Sequence, residues 1–188
     1  LGHFPQSFEL STLGGWVSTR SSGQQSLGFG RIERLFAGCH LETPAGPFDI
    51  RPFPASAAGP DLREMVLGSE GRLGILTEVT VRITPLPQRD DFHAVFFPDW
   101  ERGQTAVRRI AQARLPLSML RLSTAAETST TLALVGRQRI IGALQSFLSR
   151  GGIGPEMCML ILGFTGRESL VGLARHEALD VVRRCKGV

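Results

Sequence analysis

Two prolines one residue apart, Pro85 and Pro87, constrain this chain more than any other feature. Proline has no N–H to give to a strand ladder and locks its own φ, so a strand cannot run through it. Just before the pair, Ile75, Thr77, Val79, Val81 and Ile83 alternate with other residues. This is the period-two pattern of a strand with one buried face. The strand therefore stops at Pro85, and a new arrangement starts beyond Pro87. The 188 residues divide into 1–87 and 88–188, and a chain of this length buries a real core as one large domain or as parts of two.

The first part opens with a Gly- and Ser-dense stretch to about Gly30, which reads as loop and short helix. Leu35, Ala37, Cys39, Leu41 and Thr43 then form one face of a strand. The turn Pro44-Ala45-Gly46-Pro47 leads to a hairpin partner at Phe48-Asp49-Ile50-Arg51. Asp61 stands at the N-cap of a short helix from Leu62 that Gly68 ends. In the second part, Phe92–Phe97 reads as a strand, and Asp99 caps a helix with Val107, Ile110 and Ala111 on one face. Pro116 stops that helix before a strand over Ser118–Leu122. A helical stretch with Ile140, Ile141, Leu144 and Leu148, a strand over Met157–Phe164 and a helix from Glu168 burying Leu170, Leu173, Ala174 and Val181 follow. Ser123–Thr131 fits helix or loop. The order predicts an α+β fold, with an antiparallel sheet covered on one side and its final strand cut off.

Composition excludes several functions. With 42% hydrophobic and 20% charged residues and a mean hydropathy of +0.05, the chain reads as soluble and globular. No run is long and apolar enough for a spanning helix, and no export leader is visible. Cys39, Cys158 and Cys185 are odd in number and far apart, as free thiols of a reducing compartment are. The pI near 9.7 suggests nucleic acid, but the net charge is only +4 and all basic residues except Lys186 are Arg. The charge is uneven, −3 over residues 1–100 and +7 over 101–188, which solvated helix faces explain. His3, His40, His93 and His176 are isolated, so no metal is expected. Gly68-Ser69-Glu70-Gly71 lacks the second spacer of a hydrolase elbow, and Gly28-Phe29-Gly30 lacks the third glycine of a dinucleotide fingerprint.

Two segments carry more chemistry. Ser11-Thr12-Leu13-Gly14-Gly15-Trp16-Val17-Ser18-Thr19-Arg20-Ser21-Ser22-Gly23 packs hydroxyls, an Arg and paired glycines into one turn-forming stretch. Glycines let main-chain donors approach a ligand, and Ser, Thr and Arg satisfy phosphate oxygens. A structural loop of small residues fits as well. Gly68-Ser69-Glu70-Gly71-Arg72-Leu73-Gly74-Ile75-Leu76-Thr77-Glu78 is a glycine turn feeding a strand, suited to reading a flat heterocycle edge or simply to turning the chain.

Together with Pro5-Gln6-Ser7-Phe8-Glu9-Leu10, these segments resemble FAD-linked oxidases of the vanillyl-alcohol-oxidase type. Within that group the chain is similar to the alkyldihydroxyacetonephosphate synthase branch, because Thr19-Arg20-Ser21-Ser22-Gly23 stands where glycolate-oxidase and D-lactate-dehydrogenase relatives run toward Asn-Ala-Gly-Gly. The resemblance continues through Phe97-Pro98-Asp99-Trp100 and Leu120-Arg121-Leu122 and weakens after about Ser123. It implies the second part of a PCMH-type FAD-binding domain, followed by the start of a ferredoxin-like cap domain. Gln6, Ser7, Phe8, Glu9, Leu10, Ser11 and Thr12 would line the FAD, and Thr19, Arg20, Ser21 and Ser22 would meet it next. Glu70, Gly71, Arg72, Leu73, Gly74, Ile75 and Leu76 would hold it from the opposite wall. Gln6 departs from the Asp usual there. Arg121 matches an Arg the synthases need, and it stands on an otherwise apolar strand, where burial demands an anionic partner. A salt bridge within the fold is the other reading.

The family's Gly-rich pyrophosphate loop lies upstream of these residues, and its catalytic Tyr and clustered His lie downstream. The implied reaction of the parent is exchange of the acyl chain of acyl-dihydroxyacetone phosphate for a fatty alcohol, with the flavin acting without net redox. FAD-dependent oxidation of 2-hydroxy acids is the alternative enzyme, and a basic binding module the non-enzymatic one. The partners implied are a small-molecule or lipid-phosphate substrate and no nucleic acid, with room for peripheral membrane contact and a homodimer. The location implied is cytoplasmic, or peroxisomal in a eukaryote.

Overall fold

The structure is a computed structural model and describes residues 1–188, apart from Ser56, Val135 and Arg137 and the side chains of Gln138, Arg139 and Ile140. It divides into two compact units, Leu1–Pro85 and Leu86–Val188.

In the first unit a 3-10 turn, Phe8–Leu10, precedes three short helices, α1 (Leu13–Ser18), α2 (Ser26–Phe29) and α3 (Ile32–Leu35). The strands β1 (Phe36–Thr43) and β2 (Gly46–Ile50) form the hairpin, α4 (Leu62–Val66) follows, and β3 (Ile75–Val81) completes a sheet of order β2-β1-β3. Both pairings are antiparallel. Asp61 caps α4 by accepting from the Arg63 N–H at 3.0 Å.

Strict alternation fails in two places. The β1–β3 register shifts between Phe36 and Gly38 and again between His40 and Leu41, where Ala37 and Thr77 are the extra residues. Each bulge reverses which parity faces inward. Phe36, Cys39 and Leu41 thus share the core with Leu76 and Val79, beneath Trp16 and Val17 of α1. Ile75, expected on the buried face, is 71% exposed. The strand ends at Val81, and Ile83 is exposed beyond it.

The second unit runs β4 (Arg89–Phe97), α5 (Trp100–Gln112), β5 (Met119–Ser123), α6 (Ala125–Leu134), α7 (Gln138–Arg150), β6 (Cys158–Gly166) and α8 (Glu168–Arg184). Its sheet order is β4-β6-β5, with β6 antiparallel to both neighbours. β4 and β5 are therefore parallel, joined through α5 with β6 inserted between them, as in a split β-α-β unit. At the outer edge of β4, Phe96 N donates to Val188 O at 2.8 Å and Val188 N to Phe96 O at 3.0 Å.

Alternation along β4 and β6 feeds two cores. Val95, Phe97, Leu160, Leu162 and Phe164 pack with Ala106 and Ile110 of α5 and with Val171, Ala174, Ala178 and Val182 of α8. Phe96, Met159 and Ile161 point the other way, onto Leu132 of α6 and Leu144 and Leu148 of α7. The sheet is covered on both faces, not on one. The Ser/Thr cluster supplies the reason, because it folds as α6 and buries Leu132 and Thr128. The buried stripe of α8 also differs from expectation. Leu170 and Leu173 are exposed and Val181 is half-buried, because the stripe recurs through Val171, Ala174, Ala178 and Val182. On α5 the inward residues are Gly103, Ala106 and Ile110, and Ala111 is exposed.

Candidate functional site

The first unit gathers the segments singled out in the sequence around α1. Thr12 holds an extended conformation, and its Oγ1 accepts from Gly15 N at 3.1 Å, which opens the helix. Trp16 turns inward, and its Nε1 donates to Ser11 Oγ at 2.6 Å. Ser11 Oγ in turn donates to the carbonyl of Ser7 at 2.7 Å. Phe8 stacks on Trp16 with centroids 5.8 Å apart, and Phe4 packs on Phe8 at 5.1 Å. These contacts hold residues 6–12 against the helix while Gln6 to Leu10 stay exposed. Leu10 is 95% exposed.

The far end of α1 carries the second segment. Arg20 adopts φ 52°, and Ser21 N reaches back to Trp16 O at 2.9 Å. The Thr19 hydroxyl is used internally, donating to Gly15 O at 2.8 Å. Arg20 pairs with Glu64 of α4 at 2.5 Å, and Ser22 hydrogen-bonds Ser26 at 3.4 Å. Ser21 Oγ lies 2.7 Å from His3 Nε2.

The third segment joins the same helix. Gly68 N donates to Val17 O at 3.2 Å and Glu70 N to Ser18 O at 2.9 Å. Glu70 adopts φ 50° and Gly71 φ 80°, so the chain turns sharply beneath α1. Gly74 then passes so close to β1 that a Cβ there would lie 2.1 Å from Glu42 O. Only glycine allows that crossing. Leu76 lies under α1, where a Cβ on Gly14 would meet its Cβ at 3.5 Å. Residues 6–12, 19–22 and 70–76 are thus brought together on α1.

Arg121 belongs to the second unit, and the cofactor candidates all belong to the first. Its side chain is 46% exposed and pairs with Glu127 of α6 at 3.2 Å. The strand exposes this charge, so the cost of burial inferred from the apolar sequence does not arise. Met119 and Ser123, on the same side of β5, are buried, while Leu120 and Leu122 pack into the opposite core.

Sequence reasoning set His3 aside as an isolated histidine. It is buried, its ring centroid lies 5.1 Å from that of Trp16, and burial lowers its pKa. No spacing signal marks it, because its partners Trp16 and Ser21 are brought to it only by the fold. A cavity of about 360 Å³ beside β2 and α4, lined by Ile50, Phe53 and Leu62 among others, contains none of the candidate residues. Among the described residues no group of three or more His, Cys, Asp or Glu is placed to hold a metal ion.

Residues 86–188 match the model of FAD linked oxidases, C-terminal domain. The chain is 32% identical over 194 aligned positions to alkyldihydroxyacetonephosphate synthase of Dictyostelium discoideum, covering 98% of this chain and 31% of that protein. It is 42% identical over 122 positions to the enzyme of that name from Caenorhabditis elegans, covering 64% of this chain and 20% of that protein. A solved alkyldihydroxyacetonephosphate synthase superposes on all of this chain and 34% of its own, with a TM-score of 0.89 at 30% identity. The chain thus spans about a third of the length of the Dictyostelium relative and of the solved structure. It belongs to the FAD-linked oxidase family, as a segment homologous to the alkyldihydroxyacetonephosphate synthases.

Proposed function

We propose that the wall around α1 holds FAD, and that the protein of which it is part exchanges the acyl chain of acyl-dihydroxyacetone phosphate for a fatty alcohol. The observation that carries this reading is the convergence of residues 6–12, 19–22 and 70–76 on one short helix, in a member of a family whose cofactor is FAD. The residues present fit such a group. Leu10 and Ile75, 95% and 71% exposed, offer apolar surface that a flat ring would cover. The Arg72 side chain is exposed shortly before Ile75 in sequence, and guanidinium and hydroxyl groups suit phosphate oxygens. Ser21 keeps a hydroxyl whose only side-chain partner among the described residues is His3.

When bound, FAD supplies a reactive ring that no amino-acid side chain can replace. The wall's own task is to orient and to exclude water. Trp16 and Ser11 keep residues 7–11 in place, and the Glu70 and Gly68 N–H groups lock the glycine turn to α1. Arg121, exposed on β5 with Glu127 as its partner, would steer a phosphate-bearing substrate by exchanging that surface pair for the phosphate.

The test uses the full-length protein loaded with FAD. Incubation with acyl-dihydroxyacetone phosphate and a long-chain alcohol should yield the alkyl product while the flavin absorbance stays unbleached. Anaerobic bleaching by glycolate or D-lactate, with no alkyl product, would overturn the synthase reading in favour of 2-hydroxy-acid oxidation.

A further inference from the structure

His3 is 2% exposed and Trp16 covers its ring. Nε2 has Ser21 Oγ at 2.7 Å, whereas Nδ1 is buried with no hydrogen-bond partner among the described residues. Burial lowers the imidazole pKa, so near pH 7 the ring is neutral and carries one N–H. Its position can be reasoned out. Nδ1 faces Gly23, where a Cβ would lie 3.3 Å from it. An aliphatic C–H is a weak donor to a lone pair and offers nothing to an N–H. Orphaned buried N–H groups are also rarer than under-used acceptors. Both considerations favour the tautomer with its hydrogen on Nε2, donated to Ser21 Oγ.

That assignment decides what Ser21 does. Its oxygen accepts from His3, and its own hydrogen meets no acceptor among the described residues. Its backbone is held, with N donating to Trp16 O at 2.9 Å and O accepting from Ile32 N at 3.4 Å. The side chain is half-buried, so the free hydrogen has an outlet toward a ligand. We propose that His3 is a positioning residue that fixes the Ser21 hydroxyl as a hydrogen donor to an oxygen of the bound cofactor. The proposal rests on the FAD reading above. In such a relay each bond polarises the next, and His3 acts only through Ser21.

The experiment measures FAD dissociation constants with the full-length protein stripped of its flavin and then titrated. Ser21→Ala and His3→Leu should each weaken FAD roughly tenfold, the scale of one hydrogen bond. The double variant should be no weaker than Ser21→Ala alone, since the two act in series. His3→Gln, whose amide donor can replace Nε2–H, should restore most of the affinity. Nitrogen-15 NMR of the apoprotein should show His3 as the neutral Nε2–H tautomer. An altered flavin absorption band in Ser21→Ala would put the accepting oxygen on the ring, and an unaltered band would put it on the diphosphate.

An Nδ1–H tautomer overturns the proposal. So does a His3→Leu protein that melts earlier yet binds FAD like the unaltered one while Ser21→Ala binds weakly. If Ser21→Ala and His3→Leu both bind FAD normally, Ser21 gives the cofactor no hydrogen bond and the proposal fails while the FAD reading stands; failure of the unaltered full-length protein to take up FAD would overturn that reading itself. Should His3→Leu not fold, the tautomer and the His3→Gln affinity decide the matter.

Discussion

His40 sits on the solvent side of β1 between two carboxylates, with Nδ1 2.6 Å from Asp49 Oδ1 and Nε2 3.1 Å from Glu42 Oε1. The bonds to Asp49 and then Glu42 raise its pKa above 6.5. A group whose pKa is raised on folding stabilises fully below its unfolded value and loses that contribution as pH rises through its folded value. NMR titration should give a His40 midpoint above 6.5, and unfolding stability should fall as pH rises through that midpoint. In His40→Gln this part of the pH dependence should vanish. At Gly74, by contrast, sterics dominate, since φ is 154° and a Cβ would strike Glu42 O. Gly74→Ala should cost about 2 kcal/mol or more, read from the denaturant midpoint. Arg121 makes an exposed pair, and such pairs contribute under about 1 kcal/mol. Arg121→Gln should therefore leave the melting temperature nearly unchanged, and a large fall in turnover of the full-length enzyme would report substrate handling. Gly74 was legible in the sequence as a turn glycine. The partner of Arg121 was not, because Glu127 meets it only once α6 folds back beside β5.

At the scale of elements, period-two and capping signals located the strands and the starts of the helices at Asp61 and Asp99, whose carboxylates accept from Arg63 N and Arg102 N. They did so because these signals are local. The bulges at Ala37 and Thr77 were invisible for the opposite reason, since a bulge exists only relative to the paired strand. Thr128 shows the same limit. It sits in a run of small polar residues, yet its buried Oγ1 accepts from Met159 N at 3.0 Å just where β5 ends. Thr128→Val keeps the shape and removes the acceptor, leaving a buried N–H unpaired. The expected cost is about 1–3 kcal/mol, measured by chemical unfolding.

Considered whole, the molecule is two units, each with a three-stranded antiparallel sheet. The candidate cofactor wall is open, with residues 6–10 exposed along its length. A ligand the size of FAD loses translational and rotational freedom on binding, and one wall returns only part of that cost. Residues 1–188 purified alone should therefore be colourless after gel filtration, while the full-length protein should carry yellow flavin. A stoichiometric flavin spectrum on the 188-residue chain would contradict this.

The sequence by itself determined what depends on near neighbours. It marked the α+β alternation, the hairpin about Pro44 and Ala45, the helix caps, and two glycine-rich segments whose residue order carries the family resemblance. Only the tertiary structure decided which side of each element turns inward. Leu170 and Ile75 face solvent although their patterns suggested burial, and both faces of the second sheet are covered. It alone joined His3 to Ser21 and set the charge of Arg121 beside Glu127. Periodicity and capping are fixed within a few residues of chain, whereas burial, register and a side chain's partner depend on residues far away in sequence that meet only when the core closes.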